Sequence, residues 1–149
     1  MKTEETKSTN EAQIRGRLDE WAKAVRAKDV EGVMSNYGRD ILLFDLAPPL
    51  QYQGTDTCRG NWAEWFATFQ GPVGYQISEL RITSSNDVAF CHSLNRIQGT
   101  RTDGEHTDVW VRATLGLVKS DGRWTIRHEH YSVPFYMEPP YRASLDLRP

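Results

Sequence analysis

The stretch DVWVRATLGLVKSDGRWTIRHEHYS, Asp108 to Ser132, holds two extended runs separated by Ser120-Asp121-Gly122. Both runs are rich in β-branched and aromatic residues, and an Asp-Gly pair between such runs is a strong hairpin signal. Strands joined by so short a turn are antiparallel. The same texture begins further upstream. Residues Tyr75–Thr83, Val88–Ile97, Thr107–Lys119 and Trp124–Val133 read as four strands, with Ser84-Ser85-Asn86-Asp87 and Thr102-Asp103-Gly104 as the other turns. Before them the period is helical. Ser8 to Glu11 has the form of a capping box, and Ile14, Leu18, Trp21, Ala22 and Val25 form one apolar stripe reaching about Ala27. Asp29 can cap a short second helix through Val30, Val33, Met34 and Tyr37, which Gly38 ends. Ile41–Asp45 reads as a short strand stopped by Pro48-Pro49, and Tyr52 belongs to another. Trp62, Trp65, Phe66 and Phe69 mark a third helix, with Gly71-Pro72 as its stop. Helices first and a meander afterwards imply an α+β domain, three N-terminal helices on one face of a curved, mainly antiparallel sheet. Residues 1–10 read as a disordered start, 11–135 as the single domain, and 136–149 as an irregular tail.

Composition narrows the function. With 38% hydrophobic and 26% charged residues in 149, the chain has the balance of one globular domain. No apolar run approaches the ~20 residues of a membrane helix, and the polar start MKTEETKSTN lacks a secretory core, so a cytoplasmic address is expected. Cys58 and Cys91 are too few for a disulfide framework. A net charge of −2 gives no footprint for nucleic acid. No phosphate-binding loop, dinucleotide fingerprint or G-x-S-x-G elbow occurs, and no cofactor is expected.

Two of the four histidines, His128 and His130, stand one residue apart in the last strand. They could be metal ligands, a proton-transfer pair or hydrogen-bonded core residues. Strand alternation groups them with Trp124, Ile126 and Ser132, against Arg127, Glu129 and Tyr131 on the other face. Trp124 and Ile126 look like core, so both imidazoles are expected to point inward, roughly 6.5–7 Å apart. His92, with Val88, Phe90 and Leu94, is expected to join them. No carboxylate spacing or thiol pair completes a ligand set, so no metal site is assigned. The preceding strand is open. Asp108, Trp110, Arg112 and Thr114 share one face, and which way it looks depends on whether the turn has two residues or three with a bulge. Tyr52, Trp62, Trp65 and Phe66 either wall a pocket for a planar ligand or pack as core.

Three segments carry a family likeness: DVEGVMSNYGRDILLFD (Asp29–Asp45), NWAEWF (Asn61–Phe66), and Asp108–Ser132. From about Glu11 to Phe135 the chain resembles the SnoaL-like, ketosteroid-isomerase-like branch of the nuclear-transport-factor-2-like superfamily. The DG-W-x-I-x-H ending is also similar to the association domain of calcium/calmodulin-dependent kinases. The resemblance implies a cone-shaped half-barrel, a pocket between sheet and helices, and a homodimer through the outer sheet face.

In the isomerases the base is an Asp at the end of the strand after helix two, which the resemblance places at Asp45. Burial would raise the pKa of such a carboxylate toward a base's working range. A turn-capping Asp is the alternative. The isomerases' helix-one Tyr is replaced by Trp21, and their sheet acid falls near Thr114 or Leu115. Steroid isomerisation is therefore not expected. The resemblance also suggests an inward Arg112, accompanied by Trp110, binding an acidic ligand; an outward ion pair with Glu129 is the alternative. The expected activity is an isomerase, cyclase or dehydratase reaction on a small cyclic or aromatic molecule. Asp45 or His130 would act as base, His128 or Trp21 as donor to the oxyanion, and Arg112, His92, Tyr52, Trp62 and Trp110 would hold the ligand. A non-catalytic binding or assembly module is the rival expectation.

Overall fold

The computed structural model describes residues 2–149. Its elements are α1 (Lys2–Arg26), α2 (Val30–Met34), β1 (Tyr37–Phe44), β2 (Tyr52–Gln53), α3 (Thr55–Ala67), β3 (Phe69–Ser84), β4 (Val88–Arg101), β5 (His106–Ser120) and β6 (Arg123–Ser132). The strands form one curved, unclosed sheet in the order β2-β1-β6-β5-β4-β3, antiparallel except for the β1–β6 pair. The helices cover one face of it, as the α+β reading expects.

Local departures have local causes. Helix α1 does not start at the Ser8 box but at Lys2, so residues 2–10, expected to be disordered, are helical. Glu4 and Glu5 complement the helix dipole at its start, and Lys23 and Arg26 at its end. Buried Asn10 ties the helix to the sheet, donating to the Ser85 carbonyl (3.3 Å) and accepting from Lys119 Nζ (3.4 Å). Helix α2 is capped by Asp29, which accepts from the Gly32 N–H at 3.0 Å, but Tyr37 already belongs to β1. Gly71-Pro72 ends no helix; it lies inside β3, in an irregularity between Gln70 and Gly74. A proline is tolerated there because β3 is an edge strand and needs no donor on its open side. A second irregularity, between Ser78 and Arg81, together with this one bends the long β3–β4 ribbon around the helices.

The hairpin of β5 and β6 decides what faces the interior. Ser120 pairs with Arg123 across Asp121 (φ 52) and Gly122 (φ 75), both left-handed as a two-residue type I′ turn requires. Trp124 and Ile126 then point into the core, as expected. Between Gly116/Leu117 and their partners the register shifts: Leu117 pairs with Ile126, but Gly116 pairs with His128, leaving Arg127 as an extra residue. That bulge exchanges the two faces of everything after it. Gly38 leaves room on β1 for the Arg127 stem, whose guanidinium donates to Asp40 Oδ2 at 2.7 Å. Replacing Gly122 by Ala is expected to cost about 1–2 kcal/mol through its positive φ alone, since open space surrounds its Cα. A lower denaturation midpoint with an unchanged slope checks this.

Candidate active site

Because of the bulge, the inward residues of late β6 are Glu129 and Tyr131, while His128 and His130 lie on the outer sheet face. The predicted separation holds, with ring centroids 6.3 Å apart, but the orientation is the reverse of the expected one. His128 donates a ring N–H to the Leu42 carbonyl (2.7 Å), and both rings pack edge-on against Phe44. His92 pairs with Thr114, and Thr114 with His130, so His92 is outward too. So are Arg112, exposed and donating to Ser132 Oγ at 3.0 Å, and Trp110, whose ring lies under Arg96. None of these five can touch an interior ligand. The expected anchor for an acidic molecule is therefore absent from the pocket.

What the interior does hold is a cavity of about 70 Å³, lined by Leu43, Asp45, Leu46, Asn61, Trp62, Trp65, Tyr75, Ile97, Val111 and Tyr131. Asp45, one residue beyond β1, stands half-buried at its edge. Its Oδ1 accepts the Leu46 N–H (2.7 Å) and its Oδ2 accepts Asn61 Nδ2 (2.9 Å), so the carboxylate is held at a fixed angle from α3. The carboxylate that caps the turn is thus also part of the cavity wall. Trp62 and Trp65, from consecutive turns of α3, meet edge to face at 5.6 Å and form the aromatic wall. Trp21 and Tyr52 do not line the cavity. Trp21 is buried behind Trp62 and Tyr75, and Tyr52 donates to the Pro48 carbonyl (3.1 Å), steadying the loop after Asp45.

Behind the Leu43 and Tyr131 wall lies the group that sequence reading missed. Glu129 pairs in register with Leu43 on β1 and Leu115 on β5, and its side chain has no solvent exposure. Burial pushes its pKa up to about 8, against a smaller opposing effect of the nearby Tyr37 and Tyr131 hydroxyls. Glu129 is therefore largely protonated at neutral pH. Neither of its carboxyl oxygens, nor the Tyr131 hydroxyl, has a partner in good hydrogen-bond geometry.

The neighbouring phenols are oriented from behind. Trp62 Nε1 donates to the Tyr37 hydroxyl at 2.9 Å and Trp21 Nε1 at 3.4 Å. Indoles only donate, so both bonds use Tyr37 lone pairs and leave its own proton uncommitted. On the other side Ser93 donates to Asn95 Oδ1 (2.7 Å), and Asn95 Nδ2 donates to the Tyr75 hydroxyl (2.9 Å). Burial raises the pKa of Tyr37, Tyr75 and Tyr131 alike, so all three stay neutral donors. Tyr37→Phe is expected to destabilise the fold by about 1–3 kcal/mol, because it strands the Trp62 indole N–H in the core. Chemical denaturation reads this directly. Among the described residues no three His, Cys, Asp or Glu side chains gather as a metal would require.

The missed residues had one signal in the sequence. EHY places an acid and a phenol on the strand face opposite the histidines, and only the bulge, which no local residue type announces, turns that face inward.

Comparison with known proteins follows the fold. A family model described as a SnoaL-like domain matches residues 14–136. A crystal structure of an NTF2-like protein of unknown function from Pseudomonas putida KT2440 is similar at 32% identity and TM-score 0.87, covering 95% of this chain and 98% of that one. A ketosteroid isomerase-like protein from Erwinia carotovora atroseptica SCRI1043 is 24% identical, with TM-score 0.71 over 81% of this chain and 93% of that one. A protein of unknown function with a cystatin-like fold from Nostoc punctiforme is 18% identical, with TM-score 0.71 over 93% and 95%. Comparison with curated proteins found no match.

Proposed function

Because the chain belongs to the family of SnoaL-like domains, we propose that its interior cavity is a proton-transfer site for a small, neutral, planar carbonyl compound. The observation that carries this is Glu129: a carboxyl group buried without hydrogen-bond partners, holding its proton to about pH 8 beside two phenols. Unsatisfied buried acids are rare, and one kept neutral can serve as a hydrogen-bond donor to developing negative charge.

The roles follow from position. Asp45, the cavity's one carboxylate, takes a proton from the carbon next to the carbonyl. The negative charge that develops on the carbonyl oxygen is met by the hydroxyl of Tyr131, a residue of the cavity wall whose buried hydroxyl has no other partner. Glu129 does not touch the ligand; we assign this neutral acid a donation to the neighbouring Tyr131 oxygen that the resting geometry does not make, which polarises that phenol and leaves its proton free to point inward. Tyr37, fixed by two indoles, stands beside Glu129 on its other side. Asp45 then returns the proton to a second carbon, or the enolate expels a leaving group, giving isomerase- or lyase-type outcomes. The lining contains no Lys, Arg or His, so an anionic substrate would enter without a counter-charge. The class is therefore neutral, in place of the acidic ligand expected from Arg112.

Carbon acids of this class report on the site even where the natural substrate is a different member of it. Small cyclic ketones and enones are incubated with the protein in D2O, and exchange at the carbon beside the carbonyl is followed by proton NMR. Exchange above the buffer rate, together with quenching of tryptophan fluorescence through Trp62 and Trp65, is expected. Quenching without exchange across the series would make the cavity a binding site only, and neither response would remove the reading.

A further inference from the structure

A second cleft lies between α1 and the turn of the β5–β6 hairpin and shares no residue with the interior cavity. It has a volume of about 570 Å³, with Gln13, Gly16, Arg17 and Glu20 on the helix side and Arg123 and Trp124 on the hairpin side. Its two cations converge. Arg17 Nη1 donates to Asn36 Oδ1 (3.4 Å) and Arg123 Nη2 to the Ser35 carbonyl (2.5 Å), so both guanidinium groups end on consecutive residues just after α2. Several arginines of the chain lack a carboxylate partner; this pair is set apart because neutral acceptors hold two like charges together. Burial and the Arg123 charge push the Arg17 pKa down, whereas neighbouring carboxylates raise those of Arg59, Arg96 and Arg127. Bringing like charges together costs free energy that a bound anion recovers.

The rest of the cleft is rich in donors. A guanidinium carries five N–H groups, and each of these two spends one inside the chain. Trp124 Nε1 donates to Gln13 Oε1 at 3.2 Å; an indole only donates, so the Gln13 NH2 group is uncommitted. Gly16 lies inside the 25-residue helix α1, where glycine costs stability relative to alanine. A Cβ at Gly16 would meet nothing within 4 Å, so no packing contact in the chain calls for a glycine there. Its bare backbone instead widens the cleft beside the two cations.

We infer that this cleft binds a phosphate group, free or carried by a small molecule, between Arg17 and Arg123, with the Gln13 amide donating to a further oxygen. Two guanidinium groups match a dianion better than the single charge of a carboxylate. Donors arriving from a helix and a hairpin suit a tetrahedral group better than a planar one. Exposed Glu20 at the rim attracts Arg17 without forming an ion pair, and it weakens the site for any anion. The inference does not depend on the chemistry proposed for the interior.

The test is a titration of the isotope-labelled full chain with sodium phosphate, read by NMR at the indole N–H of Trp124 and the side-chain amide of Gln13. Sodium chloride at equal ionic strength is the control. Saturable movement of both signals is expected with phosphate and not with chloride. Arg17→Gln and Arg123→Gln are each expected to raise the phosphate dissociation constant about 10-fold or more, and Glu20→Gln to lower it about two-fold. Gly16→Leu is expected to raise the thermal midpoint of unfolding while weakening phosphate about five-fold or more, which separates a filled cleft from a damaged fold. Phenyl phosphate binding more tightly than inorganic phosphate would support a phosphorylated molecule as the occupant, and equal binding would support free phosphate. Acetate binding as tightly as phosphate, equal shifts in chloride, or an affinity indifferent to both arginine substitutions would each overturn the inference.

Discussion

Glu129→Gln is expected to flatten the pH dependence of stability between about pH 4.5 and 8. The folded chain holds the Glu129 proton up to about pH 8, whereas the unfolded chain releases it near the ordinary glutamate value of 4.5. In that window the folded state binds one proton more, so stability falls as pH rises, by about 1.4 kcal/mol per unit. The loss accumulates to at most roughly 4–5 kcal/mol by pH 8 and stops above it. Glutamine fills the same space and is neutral throughout, so the variant lacks this slope. The salt-bridged carboxylates Asp40 and Asp108, held below the usual aspartate range chiefly by Arg127 and Arg96, contribute at lower pH and in the opposite sense. They are common to both proteins and cancel in the difference. Denaturant titrations of both proteins at half-unit intervals measure it. Parallel profiles across the window would mean that Glu129 is ionised in the fold and cannot donate to Tyr131.

Asp45→Asn is expected to lower the rate of exchange or turnover by about 10²- to 10⁴-fold, the usual contribution of a positioned general base. The amide can still accept from Leu46 N–H through its one oxygen, and its NH2 is accommodated where the Asn61 amide flips to present its oxygen, so the loop geometry survives. Fluorescence quenching by the same ligand should therefore change less than about three-fold, separating lost chemistry from lost binding. Tyr131→Phe is expected to lower the rate about 10²- to 10³-fold as a lost oxyanion donor. If Asp45→Asn leaves the rate intact while Tyr131→Phe abolishes it, the base lies elsewhere in the cavity.

The two carboxylates differ in how legible they were. Asp45 follows a run of Ile, Leu and Phe and precedes a proline pair, so its place at a strand end could be read from local pattern and family likeness. Trp62 could be read the same way, from helical spacing within Trp62, Trp65 and Phe66. Glu129 could not, because its orientation is decided by pairing with the neighbouring strand, where Gly116 meets His128 instead of Arg127. The same slip sends His128 and His130 outward, whereas Arg112, Trp110 and His92 face outward by plain alternation, opposite Val111, Ala113 and Leu115 on β5 and Ala89, Cys91 and Ser93 on β4. Strict alternation therefore failed on β6 after Arg127, while on β4 it held and only the choice of the inward set was wrong: the small Ala89, Cys91 and Ser93 face the core in place of Val88, Phe90 and Leu94.

The order of helices and strands, the Asp-Gly hairpin, the core stripe of α1 and the position of Asp45 follow from the sequence alone, because each is set by periodicity or turn chemistry within a few residues. The identity of the buried acid, the absence of a cation from the cavity lining and the outward turn of His128 and His130 were decided only in the assembled sheet. They depend on register between strands, and a side-chain period of two makes any one-residue slip exchange inside for outside.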